Sequence, residues 1–68
     1  GPGAPELQVF VVNVSIHGAG FRCPVSFDLG AKYDMRIGNG PLFLSSRVRI
    51  ISSRRRKDGT FDVGAEFF

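Results

Sequence analysis

Residues 46–67 read SRVRIISSRRRKDGTFDVGAEF and contain the clearest structural signal in the chain. Two runs of alternating apolar and polar residues flank Asp58-Gly59, a pair that predicts a type I′ β-hairpin turn with positive φ at both positions. The apolar positions of the two runs are expected to share one buried face; they are Val48, Ile50, Phe61, Val63, Ala65 and Phe67. The stretch therefore predicts two antiparallel strands, the first of which extends from about Leu42 to Arg55.

The same period-two alternation continues toward the N-terminus, and no segment carries a helical stripe. It predicts three further strands, at Leu7–Ile16, Phe21–Phe27 and Ala31–Ile37. Turn signals separate them at Asp28-Leu29-Gly30 and Gly38-Asn39-Gly40-Pro41. Five short strands predict an all-β fold, a small antiparallel β-barrel or sandwich. Because an open sheet leaves two edges unpaired, closure or self-association is expected.

Several local features can be predicted from strand parity and residue type. Pro24 lacks an N–H group, so the second strand is expected to lie at an edge or to bulge there. The length of the fourth strand predicts a bend or bulge near Ser45-Ser46. Three residues are expected in the core: Cys23, Tyr33 and Met35. Three aromatic rings fall on the opposite, exposed parity: Phe10, Phe43 and Phe68.

Length and composition restrict the class of protein. A chain of 68 residues forms one domain at most, assigned here to residues 7–68, with residues 1–6 as a tag scar or linker. Cys23 is the only cysteine and His17 the only histidine, so neither an internal disulfide nor a zinc-ligand cluster is expected. No apolar stretch is long enough to span a bilayer. These features predict a cytoplasmic domain without membrane insertion or cofactor.

The positive charge of the chain is unevenly placed. Its net charge is +3, and most of the basic residues lie in the C-terminal third: Arg47, Arg49, Arg54, Arg55, Arg56 and Lys57. Such a cluster favours an anionic partner, whether a nucleotide, a nucleic acid or an acidic protein face. A solvated hairpin tip that keeps a sheet edge soluble is the simpler interpretation, and it is preferred.

Residues 13–18 read NVSIHG and place a polar side chain, a hydroxyl and a glycine at fixed offsets. Asn13 offers an amide donor and a carbonyl acceptor, and Ser15 adds a hydroxyl group. Gly18 leaves space for the close approach of a backbone or a ligand. Taken alone, the six residues are typical of a turn between strands. His17 is interpreted as an exposed turn residue.

Together with the strands and turns C-terminal to them, these residues resemble the PilZ domain, a bacterial receptor module for cyclic di-GMP. The resemblance covers about residues 7–68. Its first element is the pattern [DN]-x-S-x-x-G, met by Asn13, Ser15 and Gly18. The later elements, in family order, are Asp28-Leu29-Gly30, the strands around Tyr33–Ile37 and Ser46–Ile50, and the closing Asp62-Val63-Gly64-Ala65-Glu66-Phe67. The resemblance implies a PilZ-like β-barrel of about five strands.

The chain also departs from the family pattern. The R-x-x-x-R motif that supplies phosphate and guanine contacts in the family is absent, since the earliest arginine is Arg22. That arm was either trimmed or is naturally missing. The resemblance implies ligand-binding roles for Asn13, Ser15, Gly18 and Arg22. Further anion contacts are considered at Arg47, Arg49, Arg54, Arg55 and Arg56, although the sequence offers no geometric reason to bring any pair of them to the site.

Three functions are compatible with these residues. The preferred one is a degenerate PilZ-like regulatory adaptor or oligomerising module, which binds cyclic di-GMP weakly or not at all alone and contacts a parent or regulatory protein. The second is a cyclic di-GMP receptor that uses arginines from elsewhere. The third, a small nucleic-acid-binding barrel, ranks last because few aromatic rings remain for stacking. No catalytic arrangement of Ser, His and Asp is evident, so no enzyme is expected.

Overall fold

The structure is a computed structural model that describes residues 7–39 and 41–68. The linker expected at residues 1–6 lies outside the described residues. Five strands are formed: β1 (Phe10–Val14), β2 (Gly18–Cys23), β3 (Lys32–Asn39), β4 (Leu42–Arg55) and β5 (Phe61–Phe67). The described part of the chain contains no helix that could cross a membrane. The all-β prediction is confirmed.

The strands form one antiparallel sheet in the order β1-β2-β5-β4-β3, curled into a half-barrel. β4 is long enough to serve two partners, because its whole first part pairs with β3 and residues from Val48 onward pair with β5. β1 and β3 are the two edges of the sheet. The curl produces a concave face, which carries the core, and an outer face.

The core lies where the central strands line the concave face. Its buried residues are Ala19, Phe21, Cys23, Val48, Ile50, Val63 and Ala65. Phe27 packs edge-to-face on both Phe21 and Tyr33, with ring centroids 5.7 and 5.2 Å apart. The prediction that Cys23 is buried is confirmed, and Met35 packs against the core. The prediction of a core position for Tyr33 is wrong: this residue is exposed, because it lies on the edge strand β3.

The hairpin between β4 and β5 differs from the predicted type I′ turn. Only Gly59 has a positive φ, of 88°, whereas Asp58 does not. Arg56 donates its N–H to the carbonyl of Thr60, and Gly59 donates to the carbonyl of Arg56. These bonds define a three-residue loop with glycine in the left-handed position. Asp58 accepts from the N–H of Thr60 at 2.9 Å, and this bond rigidifies the loop without requiring a strained aspartate.

Two other local predictions are wrong. The irregularity in β4 lies between Ile50 and Ser52, whereas pairing with β3 is regular through Ser45-Ser46. β2 is not an edge strand, since β1 and β5 pair with it on either side. Pro24 is accommodated because β2 ends at Cys23, one residue before it. β1 is shorter than the predicted strand at Leu7–Ile16, whereas β2 is displaced toward the N-terminus from the predicted Phe21–Phe27, since it begins at Gly18 and ends at Cys23.

The prediction that three aromatic rings are exposed is confirmed. Phe10, Phe43 and Phe68 are all exposed. The guanidinium of Arg36 lies 4.0 Å from the ring centroid of Phe43, and the Lys32 and Arg47 side chains lie 5.5 and 5.4 Å from that of Phe68. Two of the three rings therefore have a cation over one face.

Candidate functional site

A row of small residues crosses the outer face of the half-barrel. Asn13 of β1 is paired with Gly20 of β2, Gly20 with Gly64 of β5, and Gly64 with Ser52 of β4. Because the two central positions have no side chain, the row forms the floor of a shallow groove. The groove has a volume of about 350 Å³.

The side chains at the ends of this row close over the glycines. Asn13 Oδ1 accepts a hydrogen bond from the N–H of Gly20 at 3.1 Å. A methyl group at Gly20 would lie 3.0 Å from that oxygen, and one at Gly64 would lie 2.5 Å from Ser52 Oγ. The side-chain oxygen of Asn13 thus already accepts a backbone hydrogen bond. Its Nδ2 group is the donor left for a ligand.

Two arginines line the same groove. Arg22 and Arg54 are each paired across the sheet with Asp62, which lies between them on the outer face. Arg22 Nε donates to Asp62 Oδ1 at 3.0 Å. The structure therefore places Asn13, Arg22 and Arg54 along one groove. Sequence reasoning identified Arg22 but did not foresee that Arg54 would join it.

The remaining residues of the motif line a second groove. Ser15, His17 and Gly18 lie in a depression of about 570 Å³, which shares Asn13 and the glycine floor with the first groove. Ser15 Oγ accepts from the N–H of His17 at 3.3 Å, and Ser15 donates its own N–H to the carbonyl of Gly18. Both polar groups of Ser15 thus stabilise the turn. His17 is exposed, as predicted.

Asp62 is the electrostatic centre of the first groove. Its pKa is held below the ordinary value of 3.8, mainly because Arg22 donates a hydrogen bond to the carboxylate. Arg56 contributes a second hydrogen bond, at 3.3 Å, and its positive charge. The ionised carboxylate therefore orients Arg22 and Arg56 at neutral pH. Its negative charge also weakens the attraction of these two arginines for an anion.

Asp62 is expected to make folding stability sensitive to acid. Since its folded-state pKa is lowered, the contribution is fully present above about pH 3.8 and is lost as the pH falls through the folded-state pKa. In urea denaturation at a series of pH values, Asp62→Asn should be less stable than the parent near neutrality, and the difference should shrink below pH 3.8. Asp28→Asn, outside the cluster, is the control; an equal effect there would contradict the assignment.

The other candidate anion contacts do not converge on the grooves. Arg49 donates through Nε to Glu66 at 2.7 Å, and Arg47 lies 3.7 Å from Asp34. Arg55 is exposed near the end of β4. Arg56 donates a hydrogen bond to Asp62. The buried Nε–H group of Arg56 finds no hydrogen-bond acceptor among the described residues. Most of the arginines on the outer face are therefore already ion-paired with carboxylates.

Gly20, Gly64, Ser52 and Asp62 were not identified as site residues from the sequence. Glycine inside a strand does signal the close approach of another group. In this chain the glycine signal depends on the pairing of β2 with β5, because that pairing places Gly20 beside Gly64.

The arrangement is suited to binding, through hydrogen bonds and cationic groups, on an open surface. Among the described residues no cluster of three or more His, Cys, Asp or Glu side chains could hold a metal ion. No protein-family model matches this chain, and no curated protein or solved structure is significantly similar to it. The PilZ resemblance therefore stays a prediction.

Proposed function

We propose that this chain is a non-catalytic, PilZ-like regulatory domain of bacterial cyclic di-GMP signalling that acts mainly by protein association, as an adaptor or oligomerising module in the cytoplasm. One observation carries the association part of the proposal: among the described residues the sheet is an open half-barrel, and each of its two edge strands pairs on one side only. An open edge can accept a strand from another chain. A parent protein, a regulatory partner or a second copy could supply that strand.

The distribution of apolar side chains supports association. Seven residues form the buried core, whereas thirteen large apolar side chains among the described residues are exposed. Several of these lie on the arm formed by β3 and the start of β4, where Leu42 is 80% exposed and Leu44 is also open to solvent. An apolar surface next to an unpaired edge is typical of a protein-interaction site.

The receptor function is the second candidate, and the first groove favours it. Asn13, Arg22 and Arg54 line one groove, so two arginines share a surface with the amide that the family resemblance assigns to the ligand. Arg22 already pairs with Asp62, and a phosphate would have to compete with this carboxylate. We therefore expect weak binding of cyclic di-GMP by this chain alone. Nucleic-acid binding has less support, because cations already cover Phe43 and Phe68.

Isothermal titration with cyclic di-GMP, using GMP as the control nucleotide, separates the two candidates. Association as the main function predicts a Kd weaker than about 100 μM, or no measurable heat, because charge-assisted contacts of about 1.5–3 kcal/mol each are missing. Micromolar binding specific to cyclic di-GMP would overturn the adaptor function in favour of the receptor.

If binding is measurable, neighbouring arginines provide a matched test of the groove. Arg54→Ala should weaken binding by about tenfold, since its guanidinium lines the groove with Asn13. Arg55→Ala, one residue further along β4, should leave the affinity within about twofold of the parent. Equal losses in the two variants would indicate general attraction to a basic surface and would exclude this groove as the site.

A further inference from the structure

We infer that two copies of this chain associate through β3, which pairs antiparallel with the β3 of the second copy so that Met35 faces Met35 on a two-fold axis. The inference rests on the proposed function only in taking association as the mode of action. It assigns the partner, the strand and the register.

β3 has the geometry of a pairing edge. It contains eight residues, and β4 pairs with it along one side only. Charged residues alternate in sign on its outer face, at Lys32, Asp34 and Arg36. The opposite face presents apolar residues, namely Tyr33, Met35 and Ile37. When such an edge pairs with a second copy of itself, opposite charges can meet on one face while apolar side chains meet on the other.

One register satisfies both faces. When Met35 lies opposite Met35, Asp34 lies opposite Arg36 of the partner and Arg36 lies opposite the partner's Asp34, which creates two symmetric ion pairs. On the concave face, Tyr33 then lies opposite Ile37, twice. This register pairs residues 32–38 of each copy along the whole regular part of β3.

The neighbouring symmetric registers are poorer. Centring the axis on Asp34 or on Arg36 places like charges directly opposite each other, which is destabilising. Centring it on Tyr33 pairs Lys32 with Asp34, but it extends past the start of β3 to Ala31, whose N–H is already donated to Asp28. Registers in which the axis falls between residues place charged side chains opposite apolar ones.

The required side chains are accessible. Asp34 is 84% exposed, and its contact with Arg47 is a loose one of 3.7 Å at the surface. Arg36 lies over Phe43 on the same outer face. β3 pairing would join two five-stranded sheets into a single larger sheet with a continuous concave face. It would also place each exposed Tyr33 side chain beside Ile37 of the second copy, whereas the monomer leaves Tyr33 outside its core.

The other edge does not carry the same inference. β1 reads FVVNV, so it has no charges to set a register. It also contains an irregularity between Val11 and Asn13 that interrupts pairing. Bulges of this kind discourage the addition of a further strand.

A charge-reversal cycle tests the inference by sedimentation. Asp34→Arg and Arg36→Asp should each raise the dimer dissociation constant by about tenfold or more, since each replaces two attractive pairs with two repulsive ones. The double variant Asp34→Arg/Arg36→Asp should dimerise as the parent does. Arg55→Glu is the matched control: it also reverses one exposed charge and should leave both the fold and the association unchanged.

Mixing the two single variants gives the decisive result. The Asp34→Arg chain carries a basic side chain at both positions of the proposed ion pairs, and the Arg36→Asp chain carries an acidic side chain at both. Each basic side chain of the first chain would face an acidic side chain of the second. A heterodimer should therefore form in a one-to-one mixture at concentrations where neither variant alone dimerises.

A parent chain that is monomeric at millimolar concentration would overturn the inference. So would a dimer that withstands both single reversals, or a mixture that stays monomeric. Circular dichroism of each variant shows whether the sheet is retained. Sedimentation does not depend on cyclic di-GMP, so failure here would remove this interface but leave the titration result to decide the proposed function.

Discussion

Replacing Ile50 with alanine is expected to unfold most of the population at 25 °C. Ile50 is 1% exposed and is the largest fully buried side chain of the described residues. Truncation of a buried isoleucine to alanine costs about 2–5 kcal/mol. A domain of this size rarely has more than about 3–5 kcal/mol of net stability. The cost therefore matches the whole stability, and no disulfide or metal is expected to compensate.

The adjacent isoleucine provides the control. Ile51 lies at the irregularity of β4 and is 56% exposed, so Ile51→Ala removes the same atoms from a side chain that contributes little to the core. We expect it to change the free energy of unfolding by less than about 1 kcal/mol. Urea denaturation followed by circular dichroism measures both variants. Similar losses at the two positions would show that the concave face is not the core.

Gly18→Ala is expected to cost about 2 kcal/mol or more, because overpacking costs about 1–3 kcal/mol and contact with backbone lies at the upper end of that range. Gly18 begins β2 opposite Glu66, and a Cβ atom there would overlap the carbonyl oxygen of Ala65. Ala65 is buried in a central strand, so its backbone cannot move away without disturbing the core. Thermal unfolding of the variant measures the loss.

Gly20→Ala is the matched comparison. It is also a glycine of β2, but a Cβ atom there would meet the Asn13 side chain at 3.0 Å, not a backbone group. A side chain can rotate away, so the variant should lose about 1 kcal/mol or less, mostly the Asn13 hydrogen bond. A larger loss for Gly20→Ala than for Gly18→Ala would contradict this account of the two glycines.

The motif at residues 13–18 has a structural explanation as well as a functional one. Asn13 binds the backbone of Gly20, Ser15 binds the turn, and Gly18 allows β2 to approach β5. Each of the three motif residues therefore has a structural role that requires no ligand. The pattern can persist for folding alone, which is why we rank association ahead of nucleotide binding.

The strands that could be predicted best are those with regular alternation. β4 begins at Leu42 and ends at Arg55, as predicted, and β5 covers Phe61–Phe67. β1 is shorter than predicted, and β2 ends before Pro24, because the alternation continues into residues that pair with no neighbouring strand. β2 also begins earlier than predicted, at Gly18, since two glycines near its start hide the alternation. A bulge in β4 was predicted, but its position was wrong, because Ile50 and Ile51 are both apolar and only pairing with β5 shows which one faces the core.

The sequence by itself determined the class of fold, the buried face of the central strands and the exposed aromatic rings, because the alternation of side chains across a strand is a local property. The groove depended on which strands became neighbours. Pairing of β2 with β5 placed Gly20 beside Gly64 and Arg22 beside Asp62, although these partners are far apart in the chain. Long-range pairing is set by the energy of the whole packed sheet. For that reason, only the tertiary structure could show that Arg22 and Arg54 share a surface and that β3 is left as an open edge.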